Sequence, residues 1–175
     1  MNILHLTKDF ILVNGITTFI RAIIHNDQIN KHFITSNFIA DEYKLTHDLN
    51  LIEHILPVKT SQLLPNILRI IKICKSNKID VIHSHHRYYD LLAYFLSKVY
   101  HIKTITTVHS KVYGKKNLSY KAEKIVVVGE SIKRHLVEYF GIDENKMTVI
   151  NNFIDPIQIK TSKSKEEVKK ELQIN

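Results

Sequence analysis

The chain has 175 residues, 44% of them apolar and 24% charged, with one cysteine and a formal net charge of +8. That balance suits one globular domain of ordinary size and excludes a disordered chain, and no run approaches the roughly 18 to 20 uncharged apolar residues that cross a bilayer. A lone thiol, Cys74, excludes an internal disulfide framework and zinc-finger spacing.

The opening run Met1-Asn2-Ile3-Leu4-His5-Leu6 carries no basic leader and no small-residue cleavage site, so no signal peptide is expected and the expected compartment is the cytoplasm. Ile3 to Leu6 reads as a buried first strand. After a loop ending at Gly15, the residues Ile16, Phe19, Ile20, Ile23 and Ile24 follow helical spacing. Phe33-Ile34-Thr35 and the run from Leu51 to Leu56 read as strands. Beyond Ser61 a helix is expected, with Leu64, Ile67, Leu68, Ile71 and Cys74 on its apolar face and Pro65 near its start, where a missing N–H costs little. Cys74 then reads as a packing residue. Ile79 to His83 is a strand, and Asp90 to Val99 a helix. Thr104 to Val108 is a strand ending at His109, and Ile125 to Val128 an unbroken apolar strand of the kind a parallel sheet buries on both faces. Gly129 opens a helix with Ile132, Leu136 and Phe140 inward, Gly141 is placed to end it, and Met147 to Ile150 is the last strand. This alternation predicts a doubly wound α/β parallel sheet with helices on both faces. Residues 156–163 read as a linker, and Ser164-Lys165-Glu166-Glu167 as a capping box opening a further helix with a thin apolar stripe.

Ligands of such sheets bind beyond the C-terminal ends of the strands. Those positions hold Asn14-Gly15, His83 to Arg87, His109-Ser110, Gly129-Glu130-Ser131 and Asn151-Asn152. There is no G-x-G-x-x-G and no Walker A motif, which argues against a dinucleotide enzyme and a P-loop NTPase. Asn14-Gly15-Ile16-Thr17-Thr18 is either a phosphate-holding helix start or a plain turn with capping threonines. His83, His85 and His86 are metal-like in type, but only Asp90 stands near enough in sequence to complete a zinc site, so no metal is assigned. The alternatives are donors to an anionic or hydroxyl-rich ligand, with Arg87, or a solvated polar loop. His109 is either a structural or a site histidine. Glu130-Ser131 reads as capping chemistry. The basic residues are scattered and not interleaved with aromatics, so nucleic acid is not an expected partner, whereas a phosphorylated ligand or an anionic membrane surface is compatible with the charge.

Four segments in order resemble one family. They are Asn14 to Phe19, Asp80 to His85, Thr107-Val108-His109-Ser110, and Ala122 to Asp155, the last following the pattern A-D-+-I-[IV]-A-V-S-E-S-[VI]-K … K-[IV]-x-V-I-x-N-G-[IV]-D. Together they are similar to the N-terminal domain of family 4 glycosyltransferases of the GT-B fold, across nearly the whole chain and least between residues 25 and 60. Asn14-Gly15 stands where the family has two glycines, Gly129 where it has serine, and Phe153 where glycine is common.

The resemblance implies a Rossmann-like acceptor-side domain over residues 1–155, with residues 156–175 as a linker and the first helix of a second, donor-binding domain absent from the chain. It implies transfer of a sugar, with retention, from a nucleotide-sugar to a saccharide or lipid-linked acceptor, with no separate cofactor and no metal. It places Asn14, Gly15 and Thr17 at the donor phosphates, His109 near the transferring sugar as the catalytic group, and His83, His85, His86 and Arg87 on the acceptor side. The cell compartment it implies is the cytoplasm, including the inner face of the membrane. A different reading, a non-catalytic acceptor-binding or docking module that pairs with a separate catalytic chain, fits a chain of this length as well.

Overall fold

The computed structural model describes residues 1–12, 14–44, 49–52, 56–152 and 164–171. Seven parallel strands form one sheet: β1 (Asn2–Phe10), β2 (Lys31–Ile39), β3 (Asn50–Leu51), β4 (Val81–Ser84), β5 (Lys103–Val108), β6 (Lys124–Val127) and β7 (Met147–Val149). Their order is β3-β2-β1-β4-β5-β6-β7. The chain builds outward from β1 to β3, then crosses back to lay β4 beside β1, so the strand order reverses there and the loops leaving β1 and β4 part to form a crevice. The expected doubly wound α/β architecture is therefore present.

The helices are α1 (Gly15–Asn26), the short α2 (Asp41–Lys44), α3 (Leu63–Asn77), α4 (Arg87–Tyr100), α5 (Glu130–His135) and α6 (Lys165–Glu171). One face of the sheet packs Leu4, Leu6, Phe33 and Ile82 against Ile70, Ile73 and Cys74 of α3 and Tyr89, Leu92 and Leu96 of α4. Phe10, Ile34 and Ile39 pack with Ile20 and, more loosely, Ile16 and Ile24 of α1. Val108, Ile125, Val127 and Met147 close against Ile132 and Leu136. After α5 the chain continues through a single π turn, Leu136–Phe140, and Gly141 ends it in the left-handed region (φ 69°), where a Cβ would be strained.

The apolar face of α3 is turned relative to the sequence expectation. Leu64 and Leu68 are 64% and 59% exposed, while Ile70, Ile73 and Cys74 are buried. Asn66 fixes the rotation: it is fully buried, and its Nδ2 donates to the Pro57 carbonyl (2.8 Å) and the Tyr88 hydroxyl (3.1 Å). β3 is shorter than the strand expected from Leu51 to Leu56, of which residues 53–55 lie outside the described residues. The capping box is formed reciprocally, Ser164 N–H donating to Glu167 Oε2 (2.6 Å) and Glu167 N–H to Ser164 Oγ (3.2 Å). Residues 156–163, read as a linker, lie outside the described residues. Among the described residues no helix is long and apolar enough to cross a membrane.

Candidate functional site

The loop leaving β1 leads into α1, and Asn14 is the N-cap: its Oδ1 accepts from Ile16 N–H (2.9 Å) and its Nδ2 donates to the Asp9 carbonyl (3.4 Å). Thr17 is turned inward, its Oγ1 accepting from Ile11 N–H (3.2 Å). The cap is thus Asn14, with Thr17 acting as a tie that closes the loop. Gly15 is exposed, and a Cβ added there would meet nothing within 4 Å. Neither a positive φ nor crowding by the protein accounts for a glycine at this position.

One turn further on, Phe19 places its ring edge against His109, with centroids 5.2 Å apart and planes at 84°, and lies 6.2 Å from His85. The α1 start and His109 thus stand at the same, C-terminal edge of the sheet, as the site expectation required. Behind His109 runs a row of histidines. His109 Nε2 meets His85 Nδ1 at 3.2 Å, His85 Nε2 meets His5 Nδ1 at 3.2 Å, and His5 Nε2 meets His32 Nδ1 at 2.9 Å. The row ends at Asp27, whose Oδ2 lies 3.2 Å from His32 Nε2. It exists because His5 of β1 lies opposite Ile34 of β2 and His83 of β4, in strands whose register brings like-facing side chains together. His83 stands beside the row, its ring 4.3 Å from that of His85, and bonds through Nε2 to Thr107 Oγ1 (2.7 Å).

Burial sets the protonation of these rings. Loss of water around them holds His5 and His85 well below the ordinary imidazole value, with the neighbouring histidines adding repulsion. Burial first, then His109 and His32, brings His83 down to about 3, and burial brings His109 down to about 4. At neutral pH these four rings are uncharged, so His109 offers the cleft a neutral imidazole and not a cation.

Nitrogens of His5, His83 and His85 lie within 4.8 Å of one another, the only such trio of metal-ligand type among the described residues. Both nitrogens of His5 and of His85 are already engaged in the row, and His83 Nε2 is engaged by Thr107. The trio is committed to hydrogen bonds, His5 and His85 to each other and along the row and His83 to Thr107. Asp90, the acid nearest in sequence, is not near it: it is buried at the start of α4 and accepts from Lys121 N–H (2.8 Å) and Ala122 N–H (3.1 Å). Burial pushes its carboxyl up to about 6, against the pull of those N–H groups.

Of the residues expected on the acceptor side, His83 and His85 are interior. His86 is the N-cap of α4, its Nδ1 accepting from Tyr88 N–H (3.2 Å). Arg87 donates to the carbonyls of Tyr113 and Gly114 (3.2 Å each), holding the lysine-bearing loop after β5. His135 Nε2 donates to the Val112 carbonyl (2.8 Å) and the Tyr139 hydroxyl accepts from Gly114 N–H (3.0 Å), which fix the same loop from α5 and the turn that follows it. At β6 the cap is made by the Gly129 carbonyl, which accepts from Ile132 and Lys133; neither Glu130 nor Ser131 is part of it. His5, His32 and Asp27 were absent from the sequence expectation. Their signal was a polar ring inside each of two apolar strands, Ile3-Leu4-His5-Leu6 and His32-Phe33-Ile34.

The sequence profile of Glycosyltransferase Family 4 matches residues 25–158, a range that opens after the Asn14-Gly15 loop. No curated protein matches the chain. Among solved structures it is similar to a glycosyltransferase from Rickettsia africae (22% identity, TM-score 0.74, covering 99% of this chain and 50% of that one). It is similar also to Anabaena HepE in complex with UDP-glucose (14%, 0.73, 99% and 49%) and to a UDP-N-acetylglucosamine 2-epimerase from Rickettsia bellii (13%, 0.65, 100% and 52%). The chain spans about half the length of these structures, and at such identities the likeness is one of fold.

Proposed function

The chain belongs to Glycosyltransferase Family 4, and on that premise we propose that it is the acceptor-side half of a retaining sugar transferase, with the crevice between β1 and β4 as its share of the active site. The observation that carries this reading is the pairing of Gly15 with His109 at one sheet edge, through Phe19. Gly15 has open space where a side chain would stand, and that space suits the close approach of a donor diphosphate to the start of α1. UDP-glucose is bound by HepE, and a nucleotide-sugar is the donor class we assign here by analogy.

In such a transfer the acceptor oxygen bonds to the anomeric carbon, the bond from that carbon to the diphosphate oxygen breaks, and the acceptor's proton leaves with the diphosphate. His109 would then act as a neutral hydrogen-bonding group beside the sugar, stabilising charge change without bringing a cation. Lys111, Lys115 and Lys116, exposed on the loop that Arg87 holds, would favour the anionic leaving group from the same edge. Residues 156–175 would lead into a second domain carrying the remaining donor contacts, so the 175-residue chain alone is expected to bind nucleotide-sugar weakly and to transfer none.

The test is titration of the 15N-labelled chain with UDP-glucose and other nucleotide-sugars, with and without saccharide and lipid acceptors. Signals from Gly15, Thr17 and His109 should move together while those of Lys31 and Lys103, at the opposite edge, stay. Movement confined to any other edge, or none with every ligand, would remove the reading. Joined to a donor domain, His109→Ala should lower kcat on the order of 10² with little change in donor affinity; wild-type turnover would make His109 structural.

A further inference from the structure

The histidine row has a direction. Asp27 is a carboxylate at neutral pH: the Asn30 side chain, then backbone N–H groups, hold its pKa at about 2. A carboxylate only accepts, so His32 must donate from Nε2, and with one ring proton it accepts at Nδ1. His5 must then donate from Nε2 to His32 and accept at Nδ1, His85 must donate to His5 in the same way, and His109 must donate from Nε2 to His85. Each ring's tautomer is dictated by the one before it. The last ring is left with Nδ1 bare, and among the described residues nothing bonds that nitrogen. His109 is also the one histidine of the row that is not buried, so this ring is the one open to the cleft.

We propose that Asp27 is a remote positioning residue that sets the proton on His109 through His32, His5 and His85, so that His109 faces the cleft as a hydrogen-bond acceptor. An acceptor nitrogen takes a hydroxyl proton and repels a phosphate oxygen. Resting on the reading of His109 as the site histidine, the group it holds is a hydroxyl of the sugar or the acceptor and not the donor diphosphate. The far end of the row opens on a cavity of about 250 Å³ lined by Asp27, Asn30, His32 and Asn50, which gives Asp27 contact with solvent.

The direction is reversible by one atom. Asp27 Oδ1 accepts from the backbone N–H groups of Ile29 and Asn30 (3.1 Å each), while Oδ2 faces Asn30 Nδ2 (2.7 Å) and His32 Nε2. In Asp27→Asn the amide oxygen keeps the two backbone donors and the NH2 group stands against His32 Nε2, with the Asn30 side-chain amide turned over to present Oδ1 in place of Nδ2. His32 must then accept there, and every bond in the row turns round, leaving His109 with Nδ1–H toward the cleft.

The experiment is a long-range 1H–15N correlation spectrum of the 15N-histidine-labelled chain at pH about 8.5, where an ordinary imidazole is neutral. In the wild type, His32, His5, His85 and His109 should all show protonated Nε2 and bare Nδ1. In Asp27→Asn the two signals of His109 should exchange identities, and in Asp27→Glu they should return. A wild-type His109 protonated at Nδ1, or one unchanged in a folded Asp27→Asn, overturns the proposal. Should Asp27→Asn not fold, the wild-type and Asp27→Glu spectra decide alone, since Nδ1–H on His109 in either is fatal. Methyl glucoside should shift His109 Nδ1 and inorganic phosphate should not; a shift with phosphate only, or with neither, refutes the hydroxyl assignment. None of these readouts depends on turnover, so a chain that transfers no sugar still answers the question.

Discussion

Acid should unfold this protein at a pH that most domains tolerate, and the histidine row sets how far. His5, His83, His85 and His109 stay neutral in the fold well below the ordinary value of about 6.5 that they regain on unfolding. Below pH 6.5 the unfolded chain therefore binds protons that the folded chain refuses, and stability falls as pH falls. The loss continues until the folded values are reached, about 4 for His109 and about 3 for His83. At pH 5.5 each such ring costs between about 1 and 2 kcal/mol, so the four together cost about 6 kcal/mol. Asp90 works in the other direction: its folded pKa of about 6 lies above the unfolded value, so protonation favours the fold as pH drops, returning about 1 kcal/mol at pH 5.5. The net loss between pH 8 and pH 5.5 is then about 5 kcal/mol, a large part of the roughly 5 to 15 kcal/mol a domain holds. Urea unfolding followed by circular dichroism at pH 8, 7, 6 and 5.5 measures it. A free energy at pH 5.5 within about 1 kcal/mol of that at pH 8 would show that the rings take up protons in the fold, and the account of a neutral interior row would be wrong.

Two further outcomes are expected. Gly15→Ala should leave the urea midpoint nearly unchanged, since the position has room for a Cβ and a left-handed conformation is not required, yet it should weaken nucleotide-sugar binding in the titration described above. Equal binding by the variant would mean no ligand approaches that backbone. Asp90→Asn should destabilise by about 1 to 3 kcal/mol at pH 8, because an amide NH2 would confront one of the two backbone N–H groups of Lys121 and Ala122. That penalty should grow by about 1 kcal/mol near pH 5, where protonation of the raised wild-type carboxyl adds stability that the amide cannot gain; thermal melts at both pH values check it.

The layout of the sheet was legible because most strands carry a short apolar run bounded by polar residues; the run Ile125 to Val127 announces a strand by itself, although only Ile125 and Val127 are buried and Val126 on the other face is half-buried. The capping box at Ser164 and the stop at Gly141 were legible for a similar reason, since caps are local chemistry. The rotation of α3 was not. Apolar residues at 63, 64, 67, 68, 70, 71, 73 and 74 cover more than half the helix circumference, so periodicity admits two neighbouring faces, and the choice falls to Asn66 meeting Pro57 and Tyr88. The site divides in the same way. Asn14, Gly15 and His109 stand at strand ends where position alone suggests a role. Arg87 and His86 stand there too, but one holds loop carbonyls and the other caps a helix, which depends on the fold of residues 112–114 and on local φ and ψ. The row from Asp27 to His109 joins residues up to 80 positions apart at a single link, and only strand register brings them into line.

Stability alone would not build such a row, since a buried polar chain gains little over apolar packing and is costly when broken. His5→Leu separates the two costs. The substitution strands His32 Nδ1 and His85 Nε2–H, and each buried group without a partner costs about 1 to 3 kcal/mol, so a loss of about 2 to 4 kcal/mol is expected at pH 8 after the gain from leucine packing. It also removes one ring that must stay neutral in the fold. At pH 5.5 the wild type is penalised for that ring by between about 1 and 2 kcal/mol and the variant is not, so the gap between them should narrow by that amount. Paired urea titrations of wild type and His5→Leu at the two pH values give the difference directly. A gap that stays constant or widens toward pH 5.5 would mean His5 is not held neutral in the folded state, and the row would then carry no fixed direction to His109.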